Sequence, residues 1–355
     1  MPNQPTTPLL IALSITATLH AQAQQIVVPA TRATTDATSH LWLPGAANDV
    51  RQQTLIGESH LTAMIGKTIH AIEFRRTAAD EIYTGGLANM VIALSTSTQS
   101  TLEASSTFAN NIGSAPQQVF TGTVTFPTSP PATGATVAWS PDNIVRIQFT
   151  TPFSYTGGRL CLDVTGIPIA GQSPGWWMAD AEFEDIPGTV TNLGGGCGPH
   201  ANSSFVAEYS LMVGGYAKMF AYGSPDGLAI AAIGQPGSPV PLSILGFATP
   251  GNCNLMLGTL DILVPTIFLT SPDPLAAPFG ARADFELKIP NVPGAQGLTL
   301  ATQWFDWTQL ATTNAVEWTI TSTPTIDMAA VEGHPLETNG NVSIHQAHVI
   351  RFEYQ

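Results

Sequence analysis

The densest run of chemically capable side chains is Trp176-Trp177-Met178-Ala179-Asp180-Ala181-Glu182-Phe183-Glu184-Asp185. In a strand, Asp180, Glu182 and Glu184 share one face, because side chains repeat every two residues. Aromatic rings beside carboxylates suit a sugar: the rings stack on the pyranose face and the carboxylates accept hydrogen bonds from its hydroxyls. Hard oxygen ligands also suit Ca²⁺, although the EF-hand pattern is absent. Two carboxylates flanking a glycosidic bond can hydrolyse it. The plainest reading, a solvated strand edge, is preferred, because water screens the crowded like charges best. Trp176, Trp177, Asp180, Glu182 and Glu184 are therefore candidate ligand contacts. No catalytic residue, metal ligand or cofactor is assigned.

The other reactive side chains form no constellation. His345 and His348 are three apart, which on a strand points them to opposite faces and makes a poor metal clamp. No H-E-x-x-H, G-x-S-x-G or P-loop occurs. Asn202-Ser203-Ser204 and Asn341-Val342-Ser343 match a glycosylation sequon without further support. Trp304 and Trp307 read as core rather than as a ligand platform.

The elements that must position these residues are strands. Thr68–Arg75, Ala88–Ser95, Val119–Phe126 and Ile144–Thr150 alternate apolar and polar residues between Gly, Pro, Asn and Asp clusters. Tyr216–Tyr222, Leu228–Ile233, Leu255–Leu263, Ala283–Ile289 and Leu298–Phe305 continue the pattern. No stretch holds a 3.6-residue period for more than two or three turns. Many short strands with turns between them predict antiparallel sandwiches or barrels. The run Gly194-Gly195-Gly196 reads as a hinge between two modules, since glycine accepts backbone angles that other residues avoid. Cys197 then ties the start of the second module to Cys253. The third cysteine, Cys161, lies in a strand-like run and reads as a buried thiol.

Composition sets the partners. Of 355 residues only 10% are charged, 44% are hydrophobic, and the formal net charge is -14. Such a chain disfavours nucleic acid, which needs clustered Lys and Arg, and anionic membrane surfaces. Leu9–Leu19 is an apolar run followed by Ala21-Gln22-Ala23, the form of a secretory signal cleaved after Ala23. No later stretch has the roughly 20 apolar residues that span a bilayer. Export in turn permits disulfides.

The strand and turn motifs carry a resemblance. They include Ala93-Leu94-Ser95-Thr96, Thr107–Gly113, Val119-Phe120-Thr121-Gly122, Thr151–Tyr155 and Leu160–Val164, with Val213-Gly214-Gly215, Gly223–Gly234, Pro250–Cys253, Ile289-Pro290-Asn291 and Gln303-Trp304 further on. Together they resemble the uncharacterised two-module β-sandwich proteins secreted by planctomycete-type bacteria. The first module is also similar to surface proteins sorted by PEP-CTERM tails. The sorting helix of the anchored relatives is not found, which implies release. The reading is an all-β chain of two antiparallel sandwiches, jelly-roll-like over 41–196 and immunoglobulin-like over 197–322. A signal peptide occupies 1–23, a flexible leader 24–40, and a linker with a terminal strand 323–355. The expected role is a secreted or cell-surface, non-catalytic binding or structural protein. Its partners would be extracellular polysaccharide or cell-envelope components. A carbohydrate-binding module and a glycan hydrolase using the 180–185 carboxylates are the rivals.

Overall fold

A computed structural model describes residues 23–37, 39–247, 252–271 and 279–355. The signal-peptide assignment falls outside the described residues, apart from Ala23. The described chain is nearly all β, and its single α-helix, α1, spans Phe108–Asn111. Every ladder between its strands is antiparallel. No helix among the described residues is long and apolar enough to cross a membrane.

In chain order the first strands are β1 (Gln24–Val28), β2 (Ser39–Trp42), β3 (Val50–Ile56), β4 (Lys67–Arg75) and β5 (Gly86–Ser97). They are followed by β6 (Gln117–Phe126), β7 (Ile144–Tyr155), β8 (Arg159–Pro168) and β9 (Met178–Phe183). Next come β10 (Thr189–Gly194), β11 (Ser204–Val206), β12 (Tyr216–Gly223), β13 (Leu228–Gly234), β14 (Pro236–Pro241) and β15 (Asn254–Leu257). Then follow β16 (Ile262–Ile267), β17 (Leu269–Thr270), β18 (Ala281–Lys288), β19 (Thr299–Asp306), β20 (Ala311–Thr312) and β21 (Ala315–Thr319). The last four are β22 (Met328–Gly333), β23 (Asn341–Ser343), β24 (Gln346–His348) and β25 (Ile350–Tyr354).

The strands pair in two sets. A flanking set forms the sheets β1-β25-β4-β7, β2-β9-β24 and β23-β22-β3-β8-β5-β6. An inserted set forms β10-β21-β19-β13-β16, with β20 on β19, together with β11-β12-β18-β17 and the hairpin β14-β15. Each set encloses its own large core. One is built around Phe74, Phe126, Tyr155, Trp177 and Phe352, the other around Trp304, Trp318, Phe268 and a layer of alanines. A third cluster, with Leu55, Phe108, Val331 and Ile344 on one side and Met212 on the other, joins them. Lys288 crosses the same junction, donating from Nζ to the carbonyls of Leu102 and Gly214 at 3.0 and 2.6 Å.

This pairing corrects three sequence-based boundaries. Residues 24–40, read as a flexible leader, begin with β1, which pairs along its length with β25. Residues 323–355, read as a linker and one strand, supply four strands to the flanking sheets. The Gly194–Gly196 run is not a hinge between the sets, because β10 already belongs to the inserted set through β21. Gly194 and Gly195 have φ of +74° and +84°, and a Cβ on Gly195 would lie 2.3 Å from Met256. The run is a tight turn under the β15 strand, with the Asn254 amide donating to the Gly195 carbonyl at 3.0 Å. The disulfide Cys197–Cys253 forms at this turn as expected, and Cys161 is a buried free thiol whose pKa burial raises to about 12.

Candidate functional site

The acidic strand, β9, is not an edge. It lies between β2 and β24, with Asp180 opposite His40 and Glu182 opposite Ala347. Its carboxylates are consumed by the chain itself. Asp180 is 0% exposed, accepts from the Ala37 amide at 2.9 Å and pairs with the fully buried Arg75 at the end of β4. Glu182 takes both arms of Arg32, at 2.5 and 2.9 Å. Glu184 accepts from the Thr325 and Ile326 amides, at 2.5 and 3.1 Å, and from the Thr325 hydroxyl at 3.1 Å. Both oxygens of all three carboxylates are therefore engaged. The expected solvated edge is overturned: the carboxylates of β9 and of Glu184 just beyond it fasten segments from both ends of the flanking set.

Arg75 is the hub of this arrangement. It also donates to the carbonyls of Val137, Arg32 and Thr35, and its guanidinium lies 4.8 Å from the Trp139 ring centroid. Burial pushes the Asp180 carboxyl up to about 6, while Arg75 pulls it back down. Glu182 holds the Arg32 guanidinium above its ordinary value.

The two tryptophans part company. Trp177 is 0% exposed, packs edge-on against Tyr83 and Phe126, and donates from Nε1 to the Pro127 carbonyl at 3.3 Å. It is a core residue, not a ligand contact. Trp176 is 45% exposed and stands edge-on to Trp42 with centroids 4.8 Å apart. Glu182, Glu184, Asp185, Arg32 and His60 line an open cleft of about 600 Å³. Within it His60 Nε2 is 2.7 Å from the Ile326 carbonyl, and Asp185 is the one exposed carboxylate of the acidic run. Among the described residues no group of three or more His, Cys, Asp or Glu could hold a metal ion.

His345 and His348 are both buried, beside Phe183 and Phe74 respectively. Burial lowers each to about 4 from the ordinary 6.5, with Lys218 adding to the effect at His345 and Glu184 and Asp185 opposing it there. Between pH 6.5 and 4 the unfolded chain binds protons at these sites that the folded chain refuses. The stability contribution is thus fully present above pH 6.5 and falls as pH drops towards 4. Asp180 acts with the opposite sign between about 6 and 3.8, where the folded chain takes the proton first. Replacing His348 by leucine isolates one contribution. Denaturant titrations from pH 7 to 4 should show wild type losing about 3 kcal/mol more than the variant. Parallel curves would refute the assignment.

A second surface lies in the inserted set, on the sheet β11-β12-β18. Its inner face is Ala217, Met219, Ala221, Ala281 and Ala283, all buried. On its other side Phe205, Phe220 and Tyr222 cluster, with Phe205 exposed, Phe220 half-buried and Tyr222 buried. Phe205 stacks on Phe220 with centroids 5.2 Å apart, and Tyr222 stands edge-on to both at 5.8 Å. The Arg282 guanidinium covers Phe220 at 4.0 Å. Small residues face the core, and the aromatic cluster covers itself on the other side, Tyr222 also stacking on Phe279. The signal was present in the alternation of Tyr216–Tyr222, where every second residue is Tyr, Lys, Phe or Tyr and the intervening ones are Ala, Met and Ala. Phe205 carried no such signal, because its strand is three residues long.

No protein-family model and no curated protein matches the chain.

Proposed function

We propose that the protein is a secreted or cell-surface, non-catalytic binding component, with extracellular polysaccharide or cell-envelope material as its partner. The observation that carries this reading is Phe205, a ring left 40% exposed and backed by Phe220 and the buried Tyr222 on the side of the sheet away from the alanine layer. Covering the exposed part of that ring would contribute on the order of 1 kcal/mol, and leaving it open provides an apolar face that can hold a ligand. The carbohydrate-binding reading is favoured over a purely structural one by the same exposed ring, since aromatic rings stack on sugar faces. Hydrolysis is disfavoured because Asp180, Glu182 and Glu184 have no free oxygen to act as acid or nucleophile.

The test uses the chain from residue 24 onward on an array of bacterial, algal and plant polysaccharides. Retention without release of reducing ends is the expected result. Turnover that disappears in Asp185→Asn would replace this reading with a hydrolase.

A further inference from the structure

The open seam of the inserted set, where β10 and β21 face β11, encloses a pocket of about 170 Å³. Phe205 forms one wall, and three amide side chains, Asn192, Asn202 and Asn314, together with Ser204, supply the polar lining. These asparagines are far apart in sequence and are drawn together by three different elements. Asn314, immediately before β21, is fixed by the β11 backbone, accepting from the Ser204 amide at 2.9 Å and donating to the Ser204 carbonyl at 3.1 Å. It also donates to Asn192 Oδ1 at 3.3 Å, and Asn192 donates to Asn202 Oδ1 at 3.2 Å. The chain of amides thus ends at two exposed members, Asn192 and Asn202, with hydrogen-bonding capacity left over. Phe205 is 40% exposed, and Phe220 and Tyr222 brace its ring from the far side of the pocket.

We infer that this pocket binds one sugar unit of a neutral glycan, the apolar pyranose face against Phe205 and neighbouring hydroxyls on Asn192 and Asn202. This rests on the binding reading above and names its site and ligand class. Three features select the class. Amides both donate and accept, which matches a hydroxyl pair. None of the eight lining residues is charged. The neighbouring outer face is internally balanced, with Lys218 3.7 Å from Glu286 and Arg282 2.5 Å from Asp284. An anionic polymer would meet no compensating cation and a chain of net charge -14. The pocket's size fits a single ring, so affinity for a polymer comes from a repeating unit presented many times.

The test is native affinity electrophoresis of the full chain through gels containing neutral polysaccharides (β-glucan, mannan, xylan, galactan) or acidic ones (alginate, polygalacturonate). Retardation by at least one neutral polymer is expected, with none by the acidic ones. Phe205→Ala and Asn202→Ala should each weaken it about tenfold, while Phe205→Trp should keep it. Circular dichroism confirms that each variant is folded. Absence of retardation by every neutral polymer, or preference for an acidic one, overturns the inference. Retardation that survives Phe205→Ala and is lost in Trp176→Ala also overturns it, moving the site to the Trp42–Trp176 pair and leaving the broader binding reading intact.

Discussion

Replacing Asp180 by alanine is expected to cost about 3–5 kcal/mol of folding stability, because it leaves the Arg75 guanidinium charged, fully buried and without its carboxylate. The effect goes beyond one pair. Arg75 holds the carbonyls of Arg32 and Thr35, and Asp180 holds the Ala37 amide, so the 30–37 segment should loosen with it. Hydrogen exchange on that segment and urea denaturation of the whole chain measure the two consequences. Arg75→Met should cost a similar amount, and the double variant should recover part of the loss, since no unpaired charge then remains. A cost below about 1 kcal/mol for Asp180→Ala would mean that water reaches the pair and that the strand is not the interior element described here.

Removing the Cys197–Cys253 bridge should be nearly as damaging. It closes a loop across a sequence separation of 56 residues. The chain-entropy cost of leaving that loop open is about 4 kcal/mol. The bridge also anchors the β14-β15 hairpin, with the Leu242 amide donating to the Cys253 carbonyl at 3.0 Å and the Cys197 amide to the Thr312 carbonyl at 3.1 Å. Cys197→Ser/Cys253→Ser should melt on the order of 10 °C lower. Non-reducing peptide maps of wild type should contain the Cys197–Cys253 pair and no pair involving Cys161. A variant that melts at the wild-type temperature would show that packing against Leu242, Leu255 and Phe305 alone holds the turn.

Strand content and the disulfide were legible from residue patterns, because alternation and turn residues are local signals. Strand partnership was not. Nothing in Gln24–Val28 says that its neighbour is Ile350–Tyr354, and a segment with an unremarkable composition was therefore read as loose. The same limit governs the acidic run. Its two-residue period was visible, but Arg32, Arg75 and Thr325 reach it only through tertiary structure, so exposed charge was the natural inference. Trp176 and Trp177 looked alike in sequence, yet adjacent positions point to opposite sides, one into the core and one outward. The asparagines around Phe205 come from positions 192, 202 and 314, and only the fold makes them one pocket.

The placement of β25 between β1 and β4 has a consequence for how the molecule comes into being. A polypeptide that emerges from its N-terminal end presents β4 with one edge already met by β7 and the other bare. β9 likewise waits for β24, and β3 for β22. These partners are the last to appear, after every strand of the inserted set. The inserted set has all its own strands by Thr319 and can close around its core first, which brings Phe183 and Met328 near each other and shortens the remaining search. Until then three half-finished sheet edges stand open, the condition in which β proteins join wrong partners. A chain halted before residue 328 would lack β22, β24 and β25 and so leave all three edges unpaired.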